Sequence, residues 1–225
     1  MKKLLSNTTL LGLDCVNIER LKLAADICQK DFEFGAVKLL SSISDDDSRV
    51  ILVDPVSSIA EYSRFCLKQM ADFINTDFVL IIQYDGFILN PDAWVDEFLK
   101  YDYLGAPWWY GDDHNVGNGG FSLRSKRLLD MLKNDKNIKE TEHAEDHTIC
   151  RIYGDYLRKQ GIKFAPEAVA KIFSIEGIGK KHDPNANNIW DGQFGFHGLN
   201  KTDISKWLAL HPEYAGRVIN GYKIN

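Results

Sequence analysis

The segment Asp77-Phe78-Val79-Leu80-Ile81-Ile82-Gln83 constrains this chain more than any other. A nearly unbroken apolar run of strand length predicts a strand buried on both faces, because a half-exposed strand would alternate apolar with polar residues. Such strands belong to largely parallel sheets with helices on both sides. The run ends in Gln83-Tyr84-Asp85-Gly86. In open α/β sheets, ligands bind beyond the carboxyl ends of the strands. Asp85 therefore stands where a carboxylate either holds a divalent cation, since Mg²⁺ and Mn²⁺ favour oxygen ligands, or caps the following turn.

The flanking segments fit this frame. Thr8 to Cys15 reads as a first strand. Asn17 is placed to cap a helix over about 18–29, followed by a strand over 34–40, a polar loop over 44–48 and a short strand over 50–53. Ser57 or Ser58 caps a helix over about 59–74. Pro91 opens a helix to about Lys100. Short strands are expected at 103–105 and 121–123, then a helix over 125–132 and an exposed loop over 134–142. A helix over 145–160 is closed by Gly161. Residues 163–164 and 170–175 look extended, 177–198 reads as loop, and a last helix spans about 204–210. Strands alternating with helices predict an α/β fold, a Rossmann-like, mostly parallel sheet flanked by helices, with an irregular C-terminal half. The simplest division is one domain over 1–225, with no internal repeat or linker.

Composition narrows the partners. The net charge of −5 argues against a nucleic-acid binder, which would carry a basic face. A phosphorylated ligand remains compatible, because a bound cation neutralises phosphate without a basic protein. Cys15, Cys28, Cys66 and Cys150 are widely spaced and form no CxxC pair, so reduced, buried thiols in a cytoplasmic protein are expected. Met1-Lys2-Lys3-Leu4-Leu5 is too soon broken by polar residues for a signal peptide. No apolar run is long enough to span a bilayer, so any membrane contact is expected to be peripheral.

Three further constellations carry candidate chemistry. Trp108, Trp109 and Tyr110 lead into Gly117-Asn118-Gly119-Gly120-Phe121-Ser122-Leu123-Arg124. Its glycines allow close approach of backbone to a ligand, although a structural turn would look the same. The segment is neither a Walker loop nor a dinucleotide fingerprint. Glu145 and Asp146 are consecutive acids at a predicted helix start. One of them is a candidate general base, and the helix dipole would favour acids there in any case. His143 and His147 lack the glutamate spacing of a zinc protease. His197, between glycines and aromatics, is either structural or a ligand to a metal or diphosphate. Glu176 is a further acid at a strand end.

With these residues in view, the chain resembles a glycosyltransferase-like family long described only as a domain of unknown function. The resemblance rests on Gln83-x-Asp85, on Asp102 to Trp108 (Asp-Tyr-Leu-Gly-Ala-Pro-Trp) and on Gly117 to Arg124. It continues through Glu145-Asp146 and Phe173 to Glu176, and so runs from about 50 to 198. It implies a GT-A type fold, with a nucleotide-binding half over about 1–100 and an acceptor-side half over about 101–225. The implied activity is metal-assisted transfer of a sugar from a nucleotide-diphosphate donor, UDP-sugars being commonest in this fold class, to a hydroxyl of a saccharide or glycolipid, with inversion. The implied cation is Mn²⁺ or Mg²⁺ on Asp85 and His197, with Gln83 in place of the first acid of a DxD motif. Gln83, Asp85, Gly117, Asn118, Gly119 and Gly120 would border the donor, and Asp146 or Glu145 would act as base. Trp108, Trp109, Phe121 and Arg124 would contact substrate, although the tryptophans are equally readable as core. A role in polysaccharide biosynthesis follows from the same resemblance. Two other readings stay open: a non-catalytic carbohydrate- or nucleotide-sugar-binding protein, and a nucleotidyltransferase. The second is disfavoured because Leu13-Asp14-Cys15-Val16-Asn17 offers no glycine-rich basic loop.

Overall fold

The computed structural model describes residues 2–220. The central sheet is built from β1 (Lys3–Leu13), β2 (Phe32–Ser41), β3 (Val50–Leu52), β4 (Phe78–Ile82), β5 (Tyr103–Leu104) and β6 (Ser122–Ser125), in the order β3-β2-β1-β4-β6-β5. The first four pair in parallel. β6 runs antiparallel between β4 and β5. The sheet is thus mostly parallel, and its antiparallel pair sits on the side of the glycine-rich segment.

Burial on both faces explains the apolar run at 78–82. Leu80 and Ile82 of β4 join Leu10, Leu39 and the helix α1 (Ile18–Asp31) on one face. Val79 and Ile81 join Leu11, Leu40 and the helix α2 (Ile59–Lys68) on the other. Successive side chains of a strand point to opposite faces, so this one run contributes to two cores. Each such side chain contributes roughly 1.5–3 kcal/mol by leaving water. Asn17 caps α1 by accepting from the Glu19 N–H, and Ser58 caps α2 by accepting from the Glu61 N–H. Ser125 caps α3 (Lys126–Asn134) in the same way. β1 begins at Lys3, so the apolar opening of the chain is sheet.

Several segments depart from the expectation. α2 ends at Lys68 and a separate 3-10 turn covers Met70–Phe73. The helix expected from Pro91 is two 3-10 turns, Pro91–Ala93 and Asp96–Lys100. Between them Trp94 turns extended and sets its indole against Phe98 and Phe194, with ring centroids 5.4 and 5.2 Å away. The helix expected over 145–160 is a single turn α4 (Glu145–His147), a π turn (Thr148–Ile152) and α5 (Gly154–Lys159). The stretch 170–175, expected extended, is mostly helix: α6 (Glu167–Phe173) follows Pro166, and only Ser174–Glu176 (β7) is strand. Within the expected loop, Gly195–His197 (β8) pairs in parallel with β7. The last expected helix is α7 (Ser205–Leu210), followed by α8 (Pro212–Asn220), which Pro212 opens. All four cysteines are free, and Cys28, Cys66 and Cys150 are buried. No helix among the described residues is long and apolar enough to cross a membrane.

Candidate functional site

β4 delivers the chain into a tight reversal at its carboxyl end. Gln83 and Gly86 exchange both backbone hydrogen bonds at 3.0 Å. This turn brings Asp85 against His197, which arrives on β8. Asp85 is 9% exposed, and its Oδ1 is buried without a hydrogen-bond partner, 3.7 Å from His197 Nε2. The Asp85 backbone carbonyl accepts from the Gly198 N–H at 2.8 Å, which pins the two segments together. Burial pushes the Asp85 carboxyl above the usual carboxylate range, and the neighbouring His197 partly opposes this.

Both ring nitrogens of His197 face oxygen. Nε2 lies 3.0 Å from Gln83 Oε1 and Nδ1 lies 3.3 Å from Glu176 Oε1. Acceptors on both sides favour the doubly protonated ring. Burial alone would lower the His197 pKa. The hydrogen bond and charge of Glu176, together with Asp85, outweigh it and raise the pKa. Gln83 is held from behind by donating Nε2–H to the Tyr62 hydroxyl at 3.2 Å.

The glycine-rich segment joins this cluster to the acidic pair. Asn118 adopts φ 59°, and its side chain accepts from the Gly120 N–H at 3.2 Å. That turn aims the Gly119 N–H at Asp146 Oδ2, 3.0 Å away. The backbone passes so close that side chains are excluded. A Cβ on Gly119 would lie 1.8 Å from Glu145 Oε1, and one on Gly120 would lie 2.1 Å from His197 Nε2. Two consecutive residues therefore touch the acid on one side and the histidine on the other.

Glu145 and Asp146 have different environments. Glu145 is 4% exposed and forms a 2.8 Å ion pair with Arg124, which is fully buried in β6. Arg124 also donates Nε–H to Ser122 Oγ and lies over the Tyr103 ring. Asp146 is partly exposed and accepts from the Gly119 and His147 N–H groups. Burial and the adjacent Glu145 charge push its carboxyl up to about 6. Two neighbouring carboxyls with separated environments mark a division of roles. The Glu145 charge is balanced by Arg124, whereas Asp146 has no arginine or lysine partner among the described residues.

The structure also relocates residues expected at the substrate. Phe121 is fully buried, stacked on Phe173 with centroids 5.1 Å apart, and so belongs to the core. Arg124, expected beside the substrate, is fully buried on Glu145. Trp108 is 9% exposed and packs its ring against Gly117. Trp109 and Tyr110 remain exposed at 37% and 38%. Glu176, the acid expected at a strand end, and Tyr62, which no local motif marks, are brought to the site by β7 and α2. Ser174 and Glu176, two apart on one strand, were the available signal for β7.

A cavity of about 350 Å³ opens beside the β4 turn, at the carboxyl ends of β1 and β4. Its lining includes Asp14, Arg20, Ser58, Tyr62, Gln83 and Tyr84. Arg20 donates to Asp14 at 2.6 Å and stacks 3.7 Å above the Tyr84 ring. A larger cavity of about 640 Å³ lies between 52–56 and α2 and contains none of the site residues.

Among the described residues, no group of three or more His, Cys, Asp or Glu side chains is arranged to hold a metal ion by itself. The orphaned Asp85 Oδ1 beside His197 nevertheless fits a cation shared with a ligand. Mg²⁺ and Mn²⁺ commonly take one or two protein ligands and complete their shells with phosphate and water. Glu176 behind Nδ1 is the carboxylate partner that orients a ligating imidazole. Cation binding at Nε2 would require that nitrogen to lose its proton and Gln83 Oε1 to turn away or ligate.

Several solved structures are similar to this one. One is a mannosyltransferase from Pyrobaculum calidifontis in complex with GDP-Man and Mn²⁺, at 14% identity and TM-score 0.48, covering 72% of this chain and 55% of that one. A second is a glycosyltransferase involved in glycosylation of the major capsid of PBCV-1, at 14% identity and TM-score 0.48, covering 91% of this chain and 98% of the other. A third is the glycosyltransferase GlyE of Streptococcus pneumoniae TIGR4, at 12% identity and TM-score 0.44, covering 95% and 62%. The chain therefore spans about half of the mannosyltransferase. No curated protein matches it. One family does: residues 49–197, which hold Asp85, the glycine-rich segment, the acidic pair and His197, match a family described as "Protein of unknown function (DUF5672)", and the chain belongs to that family.

Proposed function

We propose that this protein is a glycosyltransferase that moves a sugar from a nucleoside-diphosphate donor to a hydroxyl acceptor, with inversion at the anomeric carbon. The observation that carries this reading is the pairing of an orphaned buried carboxylate, Asp85 beside His197, with a proton-accepting carboxylate, Asp146, across Gly119-Gly120. One group is suited to a cation and its diphosphate, the other to an acceptor hydroxyl.

On this reading the donor half of the chain is about 1–100 and the acceptor half about 101–225. The nucleotide enters the cavity at the ends of β1 and β4, where Arg20, Tyr62 and Tyr84 stand. Uridine diphosphate sugars are the first donors to test. Asp85 and His197 would hold Mn²⁺ or Mg²⁺, and Gln83 would offer a further oxygen. The cation, when bound, offsets the charge that grows on the leaving diphosphate. Glu176 fixes the His197 ring, and the Gly119 N–H orients Asp146. The acceptor oxygen forms its bond to the anomeric carbon as the bond from that carbon to the diphosphate oxygen breaks. The acceptor proton passes to Asp146. A base so placed typically contributes 10²- to 10⁴-fold.

The test is incubation with a panel of nucleotide sugars and Mn²⁺, with and without a mixture of saccharide acceptors, and detection of free nucleoside diphosphate. Release from one donor, abolished in Asp146→Asn with donor binding retained, is the expected result. A folded protein that releases nothing from any donor contradicts the proposal and favours a non-catalytic sugar-nucleotide binder.

A further inference from the structure

A second cavity, of about 560 Å³, lies on the other side of Glu176, under the stretch 178–188. The geometry points to this cavity as the acceptor subsite, built for an uncharged saccharide; the assignment rests on the glycosyl-transfer reading above.

β7 supplies the floor. Ser174 and Glu176 are two residues apart and share a face of the strand, and both line the cavity. Glu176 also touches His197, so the cavity adjoins the cluster around Asp85. The Ser174 hydroxyl is buried, with the residue 1% exposed, and has no hydrogen-bond partner. Buried hydroxyls are ordinarily paired, and this one, just under the cavity floor, would gain a partner from a ligand hydroxyl after a small shift of the Ser174 side chain.

Trp109 forms the wall. The residue is 37% exposed, and its indole stacks on His182, with centroids 4.0 Å apart and planes at 21°, and on Tyr110 at 5.1 Å. Sugar rings present apolar C–H faces edged by hydroxyls. A concave site that combines a rigid indole with a few hydrogen-bonding groups matches both features. Gln193 and Asn187 stand on the same lining.

Charge decides between neutral and acidic sugars. Glu167, Glu176 and Asp183 line the cavity; Lys171 is paired with Glu167 at 2.5 Å, and Glu176 is paired with His197 and Lys201, which leaves the charge of Asp183. The remaining sign is negative. Carboxylated or phosphorylated sugars would meet repulsion there, which is a means of rejecting them.

The test is a glycan array of neutral and acidic oligosaccharides, probed with and without uridine diphosphate and Mn²⁺. Hits are followed by titration of wild type, Ser174→Ala and Trp109→Ala. Neutral glycans should be retained. Ser174→Ala should weaken binding about 3- to 10-fold, the range of one lost hydrogen bond. Its Tm should be unchanged or higher, because the orphaned hydroxyl is gone. Trp109→Ala should weaken binding about 10-fold or more, and Trp109→Phe should recover part of it. Preference for acidic glycans, unchanged binding in both alanine variants, or retention of no glycan would each overturn the assignment. The two proposals fail separately. Donor turnover without glycan binding removes this one alone, whereas glycan binding without any donor turnover removes the glycosyl-transfer reading.

Discussion

The side-chain oxygen of Gln83 lies 3.0 Å from His197 Nε2, the nitrogen that also faces the unpaired oxygen of Asp85. A neutral amide thus stands where a carboxylate would both attract a cation and hold a proton on the imidazole. Gln83→Glu keeps the length of the side chain and adds a charge. Titration calorimetry with Mn²⁺ and uridine diphosphate should show binding about tenfold tighter, near the ~1.4 kcal/mol expected from one added charge at moderate screening. Because His197 is raised above its ordinary pKa, mainly against burial and by Glu176, cation binding near pH 7 should release a proton. Calorimetry in buffers of different ionisation enthalpy measures that release.

Asp146 gives a prediction with a definite sign in pH. Its carboxyl sits at about 6, above the 3.8 of an unperturbed group. The ionised form is therefore disfavoured in the fold, a cost absent below pH 4 that grows to its full size as the pH passes 6. Asp146→Asn should raise stability by up to about 3 kcal/mol at pH 7.5 and by nothing at pH 3.5, less whatever is lost at the Gly119 and His147 N–H groups. Denaturant unfolding at the two pH values checks this. Turnover by the wild type should rise with pH through about 6, since only the ionised carboxylate accepts a proton.

Glu145 is predicted to matter for folding instead of chemistry. Glu145→Gln leaves the Arg124 guanidinium buried without its counter-charge. Breaking one side of such a pair typically costs about 3–5 kcal/mol. The expected result is a large fall in the unfolding midpoint. A variant that unfolds like wild type but has lost turnover would instead make Glu145 a catalytic group.

Gly120→Ala should strike the metal-binding cluster selectively. The added Cβ would lie 2.1 Å from His197 Nε2, so the ring must move away from Asp85. Mn²⁺ affinity should fall at least tenfold. Circular dichroism should remain that of the wild type, because the collision is with a side chain at the edge of the core.

The parts of the fold legible in sequence were those set by local pattern. The run 78–82, the caps Asn17 and Ser58, and the alternation of strand and helix up to β4 are each written in a short window. What stayed illegible depended on distant partners. Trp94 abandons a helix for a contact with Phe194, a hundred residues later. The Val169, Ala170, Phe173 spacing of α6 is too short to separate from an extended segment by periodicity. At the site, Asp85, the Gly119-Gly120 turn and the acidic pair could be named from residue type. The difference between Glu145 and Asp146 could not, because it comes from Arg124 on a strand twenty-one residues earlier. Phe121, just before β6, shares a face with Leu123, and Ser122 shares the other with Arg124; the sequence of a strand buried on both faces does not announce which side chains reach a ligand.

The central claim is that Asp85 holds the cation that binds a nucleoside diphosphate. Its most direct test is thermal unfolding of wild type and Asp85→Ala with a panel of nucleoside diphosphates, each with and without Mn²⁺. Ligand at about a hundred times its Kd adds roughly 2.7 kcal/mol, which is about 5–10 °C for a chain of this size. The account predicts an Mn²⁺-dependent shift with one nucleotide, absent in Asp85→Ala although that variant is folded. An equal shift in both proteins, or no shift in the wild type with any nucleotide, would contradict it.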